Sequence, residues 1–178
     1  MHSLLSRANA LFAFTLTVTG VLAFGLFLTT FIYEQNGTVK INSAKATVKH
    51  LTEFGAGKKK NDIGFFNFDL DADFEPLFNW NVKQLFLYLT AEYTTPRNKL
   101  NEVVLWDKIV LKGDNYKLKM RNAKTKYFFW DDGTGLKGNK NVTLYLTWNI
   151  IPNVGGLPNI PVDGAHRIVF PDQYASSA

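Results

Sequence analysis

Cysteine is missing from all 178 residues, which excludes disulfide staples, thiol catalysis and cysteine-based metal sites. Histidine is almost as scarce: His2, His50 and His166 are too few and too scattered to suggest a zinc site. No acid precedes Glu34, and Arg7 is the only Lys or Arg before it. After residue 34 the sequence has no long helical period, no internal repeat and no low-complexity tract. Such a chain must be held by an ordinary apolar core, and nothing in it calls for a cofactor.

What stands out instead is one uncharged run, residues 8–33, between Arg7 and Glu34. Its apolar heart, LFAFTLTVTGVLAFGLFLTTFI at residues 11–32, has threonine as its only polar type. At ~1.5 Å per residue these positions make a helix of ~33 Å, enough to cross a hydrocarbon core of ~30 Å. A single segment can satisfy its backbone in lipid only as a helix, and each threonine hydroxyl can bond back to a carbonyl one turn earlier. Arg7, His2 and the amino terminus put positive charge before the span, which predicts a cytoplasmic N-terminus and a translocated remainder. A cleaved secretory signal is the rival reading. The run is longer than an ordinary signal core, and Thr29, Thr30, Phe31, Ile32 and Tyr33 offer no small-x-small cleavage site. The buried core helix of a soluble protein is the other alternative. The expected organisation is a cytoplasmic stretch at 1–10, a signal-anchor helix at 11–33 and one translocated domain at 34–178.

That domain holds all 15 acids and all but one of the 20 Lys and Arg, a mild basic excess. The lysines at 58–60 lie beside Gly55 and Gly57 and read as a solvated loop; the inferred compartment excludes a nucleic-acid partner. The pattern turns to period two. Residues 63–74 read as one strand in which Ile63 and Phe65 and, after a slip at Phe66, Phe68, Leu70, Ala72 and Phe74 face inward. Asp69, Asp71 and Asp73 take its wet side. Further strands are expected at 80–93, 103–111, 127–130, 142–151 and 166–170, with a weaker first strand at 38–49 and a short one at 116–120. Turn chemistry joins them at 35–37, 96–98, 113–115, 132–133 and 153–161. Seven or eight strands predict an all-β fold, an antiparallel immunoglobulin-like β-sandwich preceded by one transmembrane helix; a partly open barrel is the alternative.

Chemistry-bearing patterns are few. Gly133, Gly135 and Gly138 spell G-x-G-x-x-G, but a strand rather than a helix follows, so the glycines read as a hairpin loop and not a dinucleotide site. Calcium at Asp131 and Asp132 would lack further regularly spaced oxygen ligands. Ser43 is the only serine between the anchor and the tail pair Ser176 and Ser177; pairing with Lys45 or His50 would make a hydrolase, although no nucleophile motif surrounds it. The acidic stripe lies on a solvated face, which does not raise a carboxylate to the pKa of a general acid. No catalytic, cofactor-binding or metal-binding residue is therefore assigned. Aromatic residues number 26, more than a core of this size need bury, which suggests an interaction surface. Two sequons occur, at Asn36 and Asn141. Asn36 is too near the span for a membrane-embedded transferase to reach, so Asn141 is the expected glycosylation site.

Several stretches resemble the third-subunit family of the eukaryotic signal peptidase complex: LSRANALFAF at 5–14, WNVKQLFLYL at 80–89, VVLWDKIVL at 103–111, and the loop from Asp131 through Thr143. Trp148-Asn149 with Pro152-Asn153 matches too, so the resemblance runs from the N-terminus to about Pro171. It implies a single-span glycoprotein of the endoplasmic reticulum membrane with a lumenal β-sandwich and no catalytic residues. The implied partners are the catalytic and accessory subunits of the complex, the lipid bilayer and, through the complex, nascent chains bearing signal peptides. The family's glycosylated asparagine maps onto Asn141, whereas the Asn36 sequon is not a family feature. A membrane-bound immunoglobulin-like adhesion or receptor module is a further alternative.

Overall fold

The computed structural model describes residues 3–33, 36–52, 59–157 and 163–176. Gln35, Gly55, Gly57, Lys58 and the end of the 153–161 linker, all used in the turn assignments above, lie outside the described residues. The chain opens with helix α1 (Leu4–Thr29), closed by a 3-10 turn at Thr30–Ile32. The helix begins well before the apolar run because Ser3 caps it, its hydroxyl accepting from the Ser6 amide at 3.2 Å. No residue of α1 is buried, which removes the core-helix alternative: the apolar side chains face outward all round. The threonines behave as lipid requires. Thr15 and Thr17 donate to the carbonyls of Leu11 and Ala13, and Thr29 and Thr30 to those of Leu26 and Phe27, at 2.6–2.9 Å.

Ten strands follow: β1 (Thr38–Ser43), β2 (Thr47–Thr52), β3 (Lys60–Phe65), β4 (Asn67–Asp73), β5 (Val82–Tyr93), β6 (Asn101–Leu111), β7 (Lys117–Lys124), β8 (Phe129–Trp130), β9 (Val142–Pro152) and β10 (Asp163–Ile168). Among the described residues every pairing is antiparallel, in sheets ordered β10-β9-β5-β6, β1-β4-β7 and β2-β3-β8. The domain is all-β, as the period-two pattern predicts.

Two expected strands each divide into two. The segment expected as 63–74 breaks at Phe66, and the one expected at 38–49 breaks after Ser43. β1 pairs with β4 up to Ser43 opposite Phe68, and β2 pairs with β3 from Thr47 opposite Phe65. Between these points residues 44–46 face only 66 and 67, with the Ala44 amide donating to the Asn67 carbonyl at 2.8 Å. The extra residue is a bulge, and it bends one long hairpin across two sheets. It also decides which phenylalanine turns inward. Phe66 is buried and Phe65 is 36% exposed, so the expected inward placement of Phe65 is corrected. A one-residue shift exchanges the faces of a strand.

The core lies between the four-stranded sheet and the other two. β5 contributes Leu85, Leu87, Leu89 and Ala91, and β9 contributes Val142, Leu144 and Leu146, all fully buried. Phe68, Leu70, Phe74 and Phe129 meet them from the opposite side. Edge-to-face aromatic pairs tie these layers: Phe68 with Trp106 at 6.0 Å, Phe74 with Trp148 at 5.6 Å, and Phe129 with both Tyr93 and Phe170. Leu87 sits mid-strand between β6 and β9. Leu87→Ala is expected to cost about 2–5 kcal/mol, lowering the urea midpoint with an unchanged slope.

Candidate functional site

Ser43 does not meet either expected partner. It ends β1, and its hydroxyl lies 2.9 Å from Nε2 of His166 on β10, a residue 123 positions away. Lys45 is exposed in the connection beyond β1, and His50 is engaged elsewhere. Among the described residues no carboxylate is hydrogen-bonded to His166, so the third member that orients a catalytic base is not in place. The pair joins β1 to β10, two strands of different sheets.

His50 binds a residue that the sequence pattern did not single out. Asp62 is fully buried, and its Oδ1 accepts from His50 Nδ1 and the Tyr174 hydroxyl, each at 3.0 Å. Its Oδ2 accepts from the amides of Leu136 and Lys137. Asp131, also buried, accepts from the Tyr93 hydroxyl at 2.9 Å and from the amides of Gly133 and Gly135. The backbones interlock as well: the Asp62 amide donates to the Gly133 carbonyl and the Asp131 amide to the Asp62 carbonyl. Lys137 stands over the Tyr174 ring, which stacks beside His50. The G-x-G-x-x-G segment is therefore wrapped around two carboxylates. It is not a hairpin loop as expected, because β8 and β9 belong to different sheets. Gly135 is required by close approach: a Cβ there would stand 2.4 Å from Thr95 Cγ2 and 2.9 Å from an Asp131 oxygen. Both Asp131 oxygens are engaged by donors within the fold, and Asp132 is exposed, 4.0 Å from Arg97.

A third constellation joins the helix to the domain. Asn81 is buried, with its side chain bonded to both the amide and the carbonyl of Val154, and its carbonyl receives the Asn153 amide. This pins the loop after β9 against the end of α1. Gly155, at φ +109, approaches the span so closely that a Cβ would lie 2.5 Å from Phe27 Cδ2.

The acidic stripe is engaged by groups of the same sheet. Asp71 pairs with Arg121 at 3.5 Å and Asp73 with Lys117 at 3.4 Å, while Asp69 accepts from the Asn122 amide. Glu75 and Asp73 together hold the Lys117 ammonium above the ordinary lysine range. At the sequons, Asn141 is exposed at the start of β9 and its side-chain oxygen is bound by Arg167, which also holds the Lys140 carbonyl. Asn36 is exposed beside Gly37, which packs on Phe74.

Burial, then the hydrogen bond to Asp131, pushes the Tyr93 hydroxyl far above its ordinary pKa; burial and Asp62 raise Tyr174. A folded-state pKa above the unfolded one stabilises fully below the unfolded value, about 10, and is lost as pH rises through the folded value. Alkaline titration followed by tyrosine absorbance should show Tyr93 ionising only as the fold is lost, a late phase that Tyr93→Phe removes. Asp62→Ala leaves two amides, His50 and Tyr174 without their acceptor. It is expected to cost about 2–4 kcal/mol in denaturant unfolding.

The model of the signal peptidase subunit family matches residues 1–173. The chain is 53% identical over 178 residues to Signal peptidase complex subunit 3 of Drosophila melanogaster, covering 100% of this chain and 99% of that one. It is 53% identical over 174 residues to Signal peptidase complex subunit 3 of Homo sapiens, covering 98% and 97%. With a helix fit to cross a membrane and an all-β domain behind it, this chain belongs to the signal peptidase subunit family.

Proposed function

We propose that the chain is a non-catalytic, essential subunit of the endoplasmic reticulum signal peptidase complex, which supports and positions the catalytic subunit as it removes signal peptides from nascent chains. The observation that carries this reading is the family match over residues 1–173, joined to the close packing of the domain against the end of the span at Phe27. The span's last turn ends at Ile32 and β1 starts at Thr38, while the Asn81-held loop braces Phe27. A domain fixed this way holds a partner's active site at a set height above the bilayer, which raises the effective concentration of site and scissile bond.

The N-terminus is cytoplasmic and the domain lumenal in this reading, supported by Arg7 before the span. The domain is an immunoglobulin-like β-sandwich, a reading supported by the core enclosed between opposed sheets. Its partners are the catalytic and accessory subunits. Exposed Val104, Ile109 and Leu111 on edge strand β6 supply an apolar contact surface. Asn141 carries the glycan: Arg167 holds its side-chain oxygen, and among the described residues its amide nitrogen has no protein partner.

Cells depleted of this chain should accumulate uncleaved precursors, and Ser43→Ala or His166→Ala should restore cleavage as fully as the native sequence. Cleavage of a preprotein by the purified chain alone, or loss of turnover in Ser43→Ala with assembly intact, would sink the proposal in favour of a hydrolase. Asn141→Gln should abolish the gel shift produced by a glycosidase specific for immature glycans, and Asn36→Gln should leave it unchanged. Labelling of the chain at the cell surface would favour an adhesion module instead.

A further inference from the structure

A cleft of about 240 Å³ opens where the span meets the domain. Phe27, Thr30 and Phe31 of the anchor form one wall; Leu77, Ile150 and Leu157 stand on the domain side. We propose that this cleft takes an acyl chain of a glycerophospholipid from the leaflet on the domain side of the membrane.

Three observations favour lipid over other occupants. First, one wall is the final turn of a helix that is apolar all round, so the cleft is continuous with a surface that lipid already covers. Its mouth therefore lies at the boundary between acyl chains and headgroups. Second, the rim has the composition of a membrane interface. Tyr33, two residues past the lining Phe31, and Trp80, between the lining residues Asn79 and Asn81, are both exposed. Lys112 is held at the same rim, donating to the Asn79 and Trp80 carbonyls at 3.0 and 3.1 Å. An ammonium has three donors, so one is left for a headgroup phosphate. Third, the polar groups inside are already engaged: Asn81 gives its side-chain amide and oxygen to Val154. Thr30 donates its hydroxyl to the Phe27 carbonyl, and Asn79 Oδ1 accepts from the Asn81 amide. The other lining side chains are apolar and suit hydrocarbon. At about 240 Å³ the cleft has room for part of one chain and not for a whole lipid.

The inference rests on membrane attachment and not on the peptidase role, so a failure of signal cleavage would leave it standing. The full-length chain is placed in phosphatidylcholine nanodiscs in which some lipids carry a diazirine at the end of one acyl chain. After illumination, mass spectrometry is expected to find adducts on both walls, at Phe27 or Phe31 and at Leu77 or Ile150. Leu157→Trp narrows the mouth at an exposed position; the domain-wall adducts should be lost while those at Val18 and Val21 in mid-span persist. Adducts confined to the span, or domain-wall adducts unmoved by Leu157→Trp, would overturn the proposal. A photoreactive residue at 157 provides the converse test. Lipid adducts support the inference, and adducts solely with another polypeptide show that the cleft is a protein-docking groove.

Discussion

Asp62 is a carboxylate buried beyond the reach of water in a domain without a metal-ligand cluster among its described residues. An isolated ion there would cost several kcal/mol, so the fold must supply donors. It does so from four directions: His50 on β2, two amides of the β8–β9 loop, and Tyr174 near the chain's end. Asp131 repeats the device from the other side of the same loop, with Tyr93 as its buried donor. The two aspartates turn a long glycine-rich connection into a fixed wall. Asp62 also seats the C-terminal tail through Tyr174, and the Ala175 amide continues the contact by donating to the Val48 carbonyl.

The same rigidity serves the membrane end. A β domain tethered by one helix would tumble if the connection were loose, because flexible linkers fix neither height nor orientation. Here Asn81 holds the loop that meets Phe27, and Gly155 lets the backbone come close enough to touch. The contact between span and domain is thus a matter of buried amide pairing and backbone proximity. The apolar cleft lies beside this joint, where the β domain and the apolar helix share a wall.

Much of the architecture was legible in the residues. The strands at 142–151 and 103–111 were found within two residues of their ends, because a half-buried strand writes its period directly into sequence. The bend was half legible: the slip at Phe66 was visible, but not that the chain changes sheets there. A bulge is a property of two paired segments, and residues 44–46 carry no mark of the strand they will face. Phe65 was placed inward for that reason. Ser43 stands out in the sequence as the only serine between the anchor and the tail pair, but the sequence offers it only local neighbours, whereas its real neighbour lies 123 residues away. Asp62 is not legible in the sequence because a single acid in a strand looks like any wet-face residue. A faint signal existed: Asn61 and Asp62 sit consecutively just ahead of Ile63, where alternation would place only one inward, and both are buried.

The sequence alone determined the anchor and the class of the domain. Crossing a bilayer depends on the summed transfer of consecutive residues, and strand amphipathicity on alternate ones; both are one-dimensional properties of the chain. Tertiary structure alone decided which polar residues meet. Ser43 with His166, Asp62 with Tyr174, and Asn81 with Val154 are pairs set by the bulge and the sheet order, each 73 or more residues apart. Their partnerships exist because burial leaves each polar group no water to bond, and only the folded chain fixes which group is near enough to replace it.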